Sequence, residues 1–401
     1  MTDSQRLIQR PGLFVLICIT MIGQLAMNIT LPSLPGIVED FGTTEPIAQL
    51  NLSLYLVGTA VAQLIYGPLS DRFGRRPLVL IGLIIFVLGS VMCLLASNIE
   101  TLIIGRVIQS VGGCAGIVMG RAMVRDIFST DKAAAMIANL TSAVVIVPGL
   151  APLIGGYLDV WYGWRLSIAF VLVLGVLIFF YALRGAHETL AVEKRHESHF
   201  FELLAAFGVL LRNRIFTAYA LQVSFNTGAY FSFLGGSSIV FRLMEWGTPA
   251  ELGFYFFGIT VFYIGGNVIT SRFAHRVGAG KINLAGTVVA MSGMIMLLLT
   301  HLAFGLEAPV FFGFVCFLAF GNGMCISTGV ALAIGADSRR VGAAAGLSGS
   351  LQLGFSAIAT WAVSLLLTES PFPLVLAMLA LCFGGLVTSV AGTLLTKRTS
   401  S

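Results

Sequence analysis

The residues of this sequence best suited to chemistry are polar side chains set inside long apolar runs. Arg106 and Gln109 share one such run, and Gln24 and Asn28 share another. Guanidinium and amide groups bind and orient a small molecule, whereas bond making needs a nucleophile with its base, paired carboxylates or a metal. None of those sets occurs within the apolar runs. The pattern predicts reversible binding and argues against an enzyme.

A second concentration of polar residues is the segment 67–77, GPLSDRFGRRP. It holds one Asp, three Arg, two Gly and two Pro, in a chain of which only 10% of residues are charged. Glycine permits sharp bends, and Asp71 can accept hydrogen bonds from arginines or from a helix N-terminus. The segment is therefore predicted to hold two helices close together at one membrane surface.

The elements that position these residues are predicted to be membrane helices. The chain has 401 residues, of which 57% are hydrophobic, and its mean hydropathy is +0.95. A helix needs about 20 apolar residues to cross the hydrocarbon layer, and we expect an all-α membrane protein with twelve such spans. The runs are approximately 13–34, 47–69, 78–96, 102–124, 133–157, 166–183, 215–234, 252–270, 282–302, 310–334, 343–367 and 374–395.

The distribution of Lys and Arg predicts the orientation. With the amino terminus in the cytoplasm, only Arg165 and Arg242 lie outside and only Arg106 lies well inside a helix. Cytoplasmic loops retain positive charge, so both termini are predicted to be cytoplasmic. The net charge of +5 then follows from membrane orientation and gives no reason to expect nucleic-acid binding.

The longest polar connection divides the chain near its middle. We expect a six-helix bundle over 1–184, a cytoplasmic linker with a surface helix over 185–213, and a second bundle over 214–401. The loop DRFGRR at 71–76 aligns with SRFAHR at 271–276, an offset of 200 residues. Parallel six-helix repeats suit a transporter whose two halves rock about a central site.

Neither a metal, a cofactor nor a disulfide framework is expected. The six cysteines all fall in predicted helices without C-x-x-C spacing, and the linker histidines match no common ligand pattern. No phosphate-binding G-x-x-x-x-G-K-[ST] occurs, which argues against a primary pump, and the short loops leave no room for a large soluble module.

Several motifs together resemble one transporter family. GPLSDRFGRRP is similar to the loop between helices 2 and 3 of the major facilitator superfamily. RVIQSVGGCAG, RAMVRDIF, VPGLAPLIGGYL and HETL are together similar to its Bcr/CflA branch of bacterial drug-efflux proteins. The resemblance implies a monomeric multidrug exporter in the bacterial inner membrane that exchanges drug for protons by alternating access.

The resemblance also implies a gate. In the family, charges of this kind join the two halves while the transporter is open to the outside, and the resemblance places Asp71, Arg75 and Asp126 in such a latch. The full set of implied gating residues is Asp71, Arg72, Gly74, Arg75, Arg125 and Asp126. The alternative is that the arginines only set the topology, which we favour for Arg76.

Helix 5 carries Pro148, Pro152, Gly155 and Gly156, which resemble the antiporter motif of the family, although Ala151 replaces the usual Gly before Pro. Proline removes an intrahelical hydrogen bond and glycine lets a neighbouring backbone approach, so bending against a partner helix is expected. Ordinary packing of small residues explains the same pattern.

Polar and aromatic residues within the spans form the candidate substrate site. Polar groups are costly in a bilayer unless they face the bundle interior, and Arg106 has no evident acid beside it, so neutral or anionic amphipathic substrates are expected. The candidates are Gln24, Asn28, Tyr55, Arg106, Gln109, Asn226, Tyr230, Asn322 and Gln352.

Asn28 departs from the family pattern, in which an acidic residue carries the proton. Asn does not titrate, and four explanations stay open. A carboxylate near a helix end, such as Glu39, Asp40 or Asp159, reaches the cavity; another ion drives transport; the protein is a facilitator or symporter for a small metabolite; or the acidic residue of the family was deliberately replaced in this sequence. Asn28 itself is either a substrate contact or a hydrogen-bonded residue between helices.

Overall fold

The structure, a computed structural model, describes residues 11–128, 130–191, 195, 200–337, 339–367 and 370–400. Residues 1–10 and the linker residues 192–194 and 196–199 lie outside this set. The described part of the chain is entirely helical in its regular structure. Its helices are α1 Leu13–Ile29, α2 Leu34–Phe41, α3 Glu45–Phe73, α4 Arg75–Leu94, α5 Ile99–Ile127, α6 Thr130–Tyr162, α7 Trp164–Gly185, α8 Phe200–Arg212, α9 Arg214–Leu243, α10 Pro249–Val277, α11 Ala279–Phe304, α12 Ala308–Gly335, α13 Val341–Leu366 and α14 Phe372–Ser400.

Ten of these helices, within the described ranges, are long and apolar enough to cross a membrane. Two further helix pairs meet the criterion only when taken together: α1 with α2, bent by 61°, and α8 with α9, bent by 95°. Counting each pair as one span gives up to twelve. The predicted all-α membrane fold is confirmed.

The first span differs from its expected form. The sequence predicts one helix over the apolar run 13–34, but α1 ends at Ile29 and α2 begins at Leu34. Pro32 lacks an N–H and disfavours helical geometry at Leu31, which favours a break at this point without enforcing one. Asn28 consequently lies in the last turn of α1 and not in mid-helix.

The two repeats, α1–α7 and α9–α14, share a packing pattern. Helices α4 and α5 cross where Gly82 and Gly112 bring their backbones together, and α11 and α12 cross in the same way at Gly286 and Gly321. Between the repeats, α3 packs along α13 and α6 packs along α10. The same glycine-lined crossing therefore occurs once in each repeat, and these two helix pairs form the most extensive packing between the repeats.

The molecule has two distinct ends, which we call the loop face, bearing Asp71, and the far face, bearing Arg242. At the far face, Arg242 of α9 pairs with Glu39 at 3.3 Å and with Glu45, and Ser238 Oγ donates to the Leu31 carbonyl at 2.6 Å. At the loop face, a cavity of about 1020 Å³ separates α3 and α5 from the start of α13. The far face is thus held shut between the repeats, apart from a smaller cavity of about 460 Å³, whereas the loop face is hollow.

Candidate functional site

Arg75 is the centre of an ion-pair network at the loop face. Its Nη1 donates to Asp71 Oδ1 at 2.7 Å and to Ser70 Oγ, and its Nε donates to Asp126 Oδ2 at 3.0 Å. The Arg75 side chain is only 10% exposed. Charge-assisted bonds of this kind are stronger than neutral ones, particularly away from water. The structure therefore brings together the three residues of the predicted latch.

The bend at Gly74 makes this arrangement possible. Helix α3 ends at Phe73, α4 begins at Arg75, and Gly74 between them has φ +96°. A side chain at that φ would be strained, so glycine alone takes it readily. The reversal sets Arg75 directly beside the last turn of α3, which carries Asp71.

Glu188 and Thr189, in the segment after α7, complete the network. Glu188 accepts hydrogen bonds from the backbone N–H groups of Arg75 at 2.9 Å and Arg76 at 3.2 Å, at the N-terminus of α4. Thr189 Oγ1 donates to Asp126 Oδ2 at 3.0 Å. In the sequence, HETL served only to support the family resemblance. The available signal for its role in the network was an acidic residue, Glu188, shortly after an apolar run.

Arg72 and Arg125, the other predicted gating arginines, lie at the same face. The Arg72 guanidinium lies 5.3 Å from the centroid of the Phe73 ring, and Arg125 is exposed and lines the cavity. The partners of Arg75 described above all belong to the first repeat or to the segment that follows it. In this structure the network fastens helices within one repeat, and its role as a latch between repeats stays a prediction.

The equivalent loop of the second repeat has no such network among the described residues. Ser271 and His275 occupy the positions of Asp71 and Arg75, and both are exposed. Ser271 Oγ donates to the Val268 carbonyl, at 2.9 Å, within its own helix. The two loops are alike in sequence position and unlike in electrostatics.

Arg106 is buried inside the first repeat. It is 1% exposed, and its Nη1 donates to the Ala26 carbonyl at 2.8 Å and to Gln109 Oε1 at 2.6 Å. Its guanidinium lies 4.6 Å from the Tyr55 ring centroid, and Gln109 Nε2 donates onward to Ser90 Oγ at 2.7 Å. No carboxylate is among its described partners. Carbonyl groups near the end of α1, the negative end of a helix, take the place of an acid.

Asn28 and Asn226 form a matched pair in the two repeats. Asn28 Nδ2 donates to the Gln24 carbonyl at 2.8 Å, and Asn226 Nδ2 donates to the Gln222 carbonyl at 3.0 Å. Both asparagines are 0% exposed, and both Oδ1 atoms lack a hydrogen-bond partner among the described residues. The common spacing Q-x-x-x-N in α1 and α9 was a sequence signal of the repeat that motif analysis missed.

The remaining candidates also lie within the repeats. Asn322 Nδ2 donates to the Asn226 carbonyl at 3.2 Å, and Gln352 Nε2 donates to Thr227 Oγ1 at 2.9 Å. Tyr230 stacks on Tyr263 with centroids 6.3 Å apart. None of the nine predicted substrate-binding residues is among the described residues that line the loop-face cavity. Their contact with a substrate stays a prediction.

Helix α6 runs continuously through Pro148 and Pro152 from Thr130 to Tyr162. The Ile29 carbonyl of α1 fills the space that a Cβ on Gly155 would occupy, and the Pro249 carbonyl of α10 does the same at Gly156. Gly155 and Gly156 thus let α6 contact α1 in the first repeat and α10 in the second. Bending at the prolines stays a prediction, whereas the expected close packing is present.

The comparisons with known proteins agree with this architecture. The sequence model of the Major Facilitator Superfamily matches residues 16–360. The chain is 30% identical over 343 residues to the uncharacterized MFS-type transporter YdgK of Bacillus subtilis, covering 85% of each chain. It is 27% identical over 365 residues to the bicyclomycin resistance protein homolog of Haemophilus influenzae, covering 90% of each.

The fold is also found among solved structures. The solved structure of a bacterial homolog of the human lysosomal transporter Spinster superposes with a TM-score of 0.73 at 13% identity, covering 96% of both chains. Family model, sequence relatives and fold converge on a multi-pass membrane transporter and not an enzyme. The chain belongs to the Major Facilitator Superfamily.

Proposed function

We propose that the protein is a secondary active exporter of amphipathic, neutral or anionic drugs that works by alternating access. The observation that carries the proposal is the asymmetry between its ends: the far face is closed by contacts between the repeats, while the loop face holds a cavity of about 1020 Å³. A binding cavity accessible from one side at a time is what alternating access requires.

Loading from the cytoplasm, which export requires, is possible in this state if the loop face is cytoplasmic. Arg72, Arg76, Arg125, Arg339 and Arg340 all lie at that end, and cytoplasmic ends retain positive charge. Both termini are then cytoplasmic, and a drug dissolved in the cytoplasm or inner leaflet reaches the cavity directly. We place the protein in a bacterial inner membrane, acting as a monomer.

Drugs as the substrate class are supported by the relative named for bicyclomycin resistance, which matches over 90% of both chains. We further propose that 1–184 and 214–401 move as two bodies, joined by the linker 185–213. Helix α8 of that linker turns 95° from α9, as expected of a helix lying along the membrane surface.

Proton exchange is the proposed driving reaction, although Asn28 offers no proton carrier. Asp40 pairs with Arg165 at 2.7 Å and Glu39 pairs with Arg242 at 3.3 Å, so both are engaged at the far face. Asp159 lines a second cavity there, of about 460 Å³, together with Glu39 and Glu245. The alternative, a facilitator or symporter for a small metabolite, is favoured by one observation: the residue at the family's acidic position is Asn28.

The test is chloramphenicol transport in inverted vesicles under an imposed pH gradient. We compare the native sequence with Asn28→Asp, and use Asn98→Asp as the control because Asp caps a helix as well as Asn does. Uphill transport by the native protein supports proton antiport through a helix-end carboxylate. Downhill movement that becomes uphill only in Asn28→Asp supports a facilitator that retains the coupling site. No chloramphenicol movement by either protein contradicts drug export.

A further inference from the structure

The loop-face cavity has an excess of positive charge. Five arginines and two aspartates line it. Its charged residues are Asp71, Arg75, Arg121, Arg125, Asp126, Arg339 and Arg340. A cavity lined by one sign of charge with low-dielectric walls concentrates ions of the opposite sign.

The nearby carboxylates are already engaged. Asp71 and Asp126 both bind Arg75. Asp337 accepts hydrogen bonds from the Arg340 guanidinium at 2.7 Å and the Arg339 backbone N–H at 2.9 Å, and these lower the pKa of Asp337 below its ordinary value. Among the described residues, this leaves the guanidinium groups of Arg121, Arg125 and Arg339 without a carboxylate partner.

These three arginines come from opposite walls of the cavity. Arg121 and Arg125 are one turn apart on α5, so they lie on one face of that helix. Arg339 precedes α13 of the second repeat, whose first residues, Val341 and Gly342, line the same cavity. The N-terminus of a helix carries partial positive charge, which adds to the field at this wall.

We propose that Arg121, Arg125 and Arg339 together bind the anionic group of an amphipathic substrate, bridging the two repeats. Ile117, Val118 and Ala343 provide apolar surface in the same cavity for the rest of the molecule. The inference rests on the proposed function and ranks its substrates: anionic compounds bind more tightly than neutral ones, which use the apolar surface alone.

The same arrangement makes closure of the loop face depend on the charge of the bound substrate. Closing the loop face brings the arginines of α5 towards Arg339, and like charges at short range repel. A bound carboxylate, sulfonate or phosphate neutralises that repulsion, whereas a cation adds to it. The cavity therefore closes more readily when it holds an anion than when it is empty.

The experiment measures binding of two xanthene dyes of opposite charge, anionic fluorescein and cationic rhodamine 6G, by fluorescence anisotropy in nanodiscs of zwitterionic lipid. Loss of a charge-assisted contact costs about tenfold in affinity, so we expect Arg121→Gln and Arg339→Gln each to weaken fluorescein binding by about that factor. Rhodamine 6G binding should stay the same or tighten. High salt should weaken fluorescein binding to the native protein more than binding to the double variant, which carries both Arg121→Gln and Arg339→Gln.

The control is Arg272→Gln with Arg276→Gln, which removes two exposed arginines that do not line the cavity. Equal loss of fluorescein binding in the control and the double variant means general surface attraction and overturns the site. Strictly independent effects of Arg121→Gln and Arg339→Gln contradict a single bridging anion. Adding phosphatidylglycerol to the nanodiscs tests the other source of such a group, and full competition assigns the site to a lipid headgroup, which overturns the substrate role.

This binding assay fails or succeeds separately from the export assay. Arginine-dependent fluorescein binding without chloramphenicol transport leaves the anion site standing and removes drug export. Chloramphenicol transport together with fluorescein binding that is unchanged by both substitutions would leave drug export standing and remove the anion site.

Discussion

Arg106 is a costly residue to bury, because its guanidinium is 1% exposed and has no carboxylate among its described partners. Desolvating a charge costs several kcal/mol, which hydrogen bonds to the Ala26 carbonyl and Gln109 and the Tyr55 ring must offset. A group so fully engaged by its own helices is suited to fixing the geometry of α1 against α5.

We expect Arg106→Lys to destabilise the protein by about 2 kcal/mol, because an ammonium cannot reproduce the planar set of donors. Thermal unfolding in detergent measures it, and Arg165→Lys is the control, since the Arg165 side chain is 43% exposed. A weaker substrate affinity with unchanged thermal stability would instead make Arg106 a direct binding residue.

Glu188 has its largest effect through the helix it caps. Glu188→Gln removes the negative charge and one acceptor at the N-terminus of α4, so we expect a loss of about 1 kcal/mol and faster hydrogen exchange at the Arg75 and Arg76 amides. Glu307→Gln is the control, because Glu307 precedes α12 without a side-chain capping bond. Unchanged exchange at both amides would rule out the capping role.

The structure brings Asp71, Arg75 and Asp126 into contact, and their role as a latch stays a prediction. The shared cavity expected for Arg106 and Asn28 also stays a prediction, since Asn28 bonds to its own helix and Arg106 to backbone carbonyls. Hydropathy shows that a polar residue lies in a span, but the direction in which it points depends on helix rotation. Rotation is decided by packing partners far away in the chain.

At the scale of elements, close helix packing depends on glycines, which have no side chain. The Ile19 carbonyl of α1 occupies the space that a Cβ on Gly116 of α5 would take. Without a hydrophobic driving force between helices in lipid, such close approach supplies much of the association energy.

Gly116→Ala should therefore push α1 and α5 apart, lowering stability by about 2 kcal/mol through overpacking. Gly313→Ala is the matched control: Gly313 lies in α12, and the space that a methyl group would take there is open, so alanine should be neutral or stabilising by up to about 1 kcal/mol. Thermal unfolding of both variants tests the contrast, and equal behaviour would count against backbone contact as the cause.

Most helices were predictable from apolar length, but the end of α1 at Ile29 was not. Membrane helices tolerate proline, so Pro32 and Pro35 did not by themselves forbid a continuous span. What separates α1 from α2 is a local turn, in which Leu31 N–H donates to the Asn28 carbonyl at 3.2 Å. The 61° bend then brings Glu39 of α2 within reach of Arg242.

At the scale of the whole molecule, the contacts of Arg242 with Glu39 and Glu45 join the repeats at the far face. Partly exposed ion pairs contribute about 0.2–1 kcal/mol each, enough together to shift a two-state equilibrium several-fold. Breaking them should favour the state that is open at this face.

We expect Arg242→Gln to raise the rate at which maleimide labels the Ser33→Cys variant by about fivefold, in a background without the native cysteines. Ser33 is 0% exposed in the closed far face. Arg165→Gln is the control, because it breaks an ion pair to Asp40 at the same face but inside one repeat. Labelling that rises equally in Arg242→Gln and Arg165→Gln would refute the role of the Arg242 ion pairs in closing the far face.

Among the described residues the loop-face network exists in one repeat only, since Ser271 and His275 replace Asp71 and Arg75. The two segments therefore differ in what depends on them: in one the charged side chains bind one another, and in the other the side chains at the matching positions are exposed. For engineering, the exposed last turns of α10 at 271–276 are the natural attachment point for a fluorophore. In the segment 71–76, by contrast, a single change disturbs contacts of α3, α4 and α5 together.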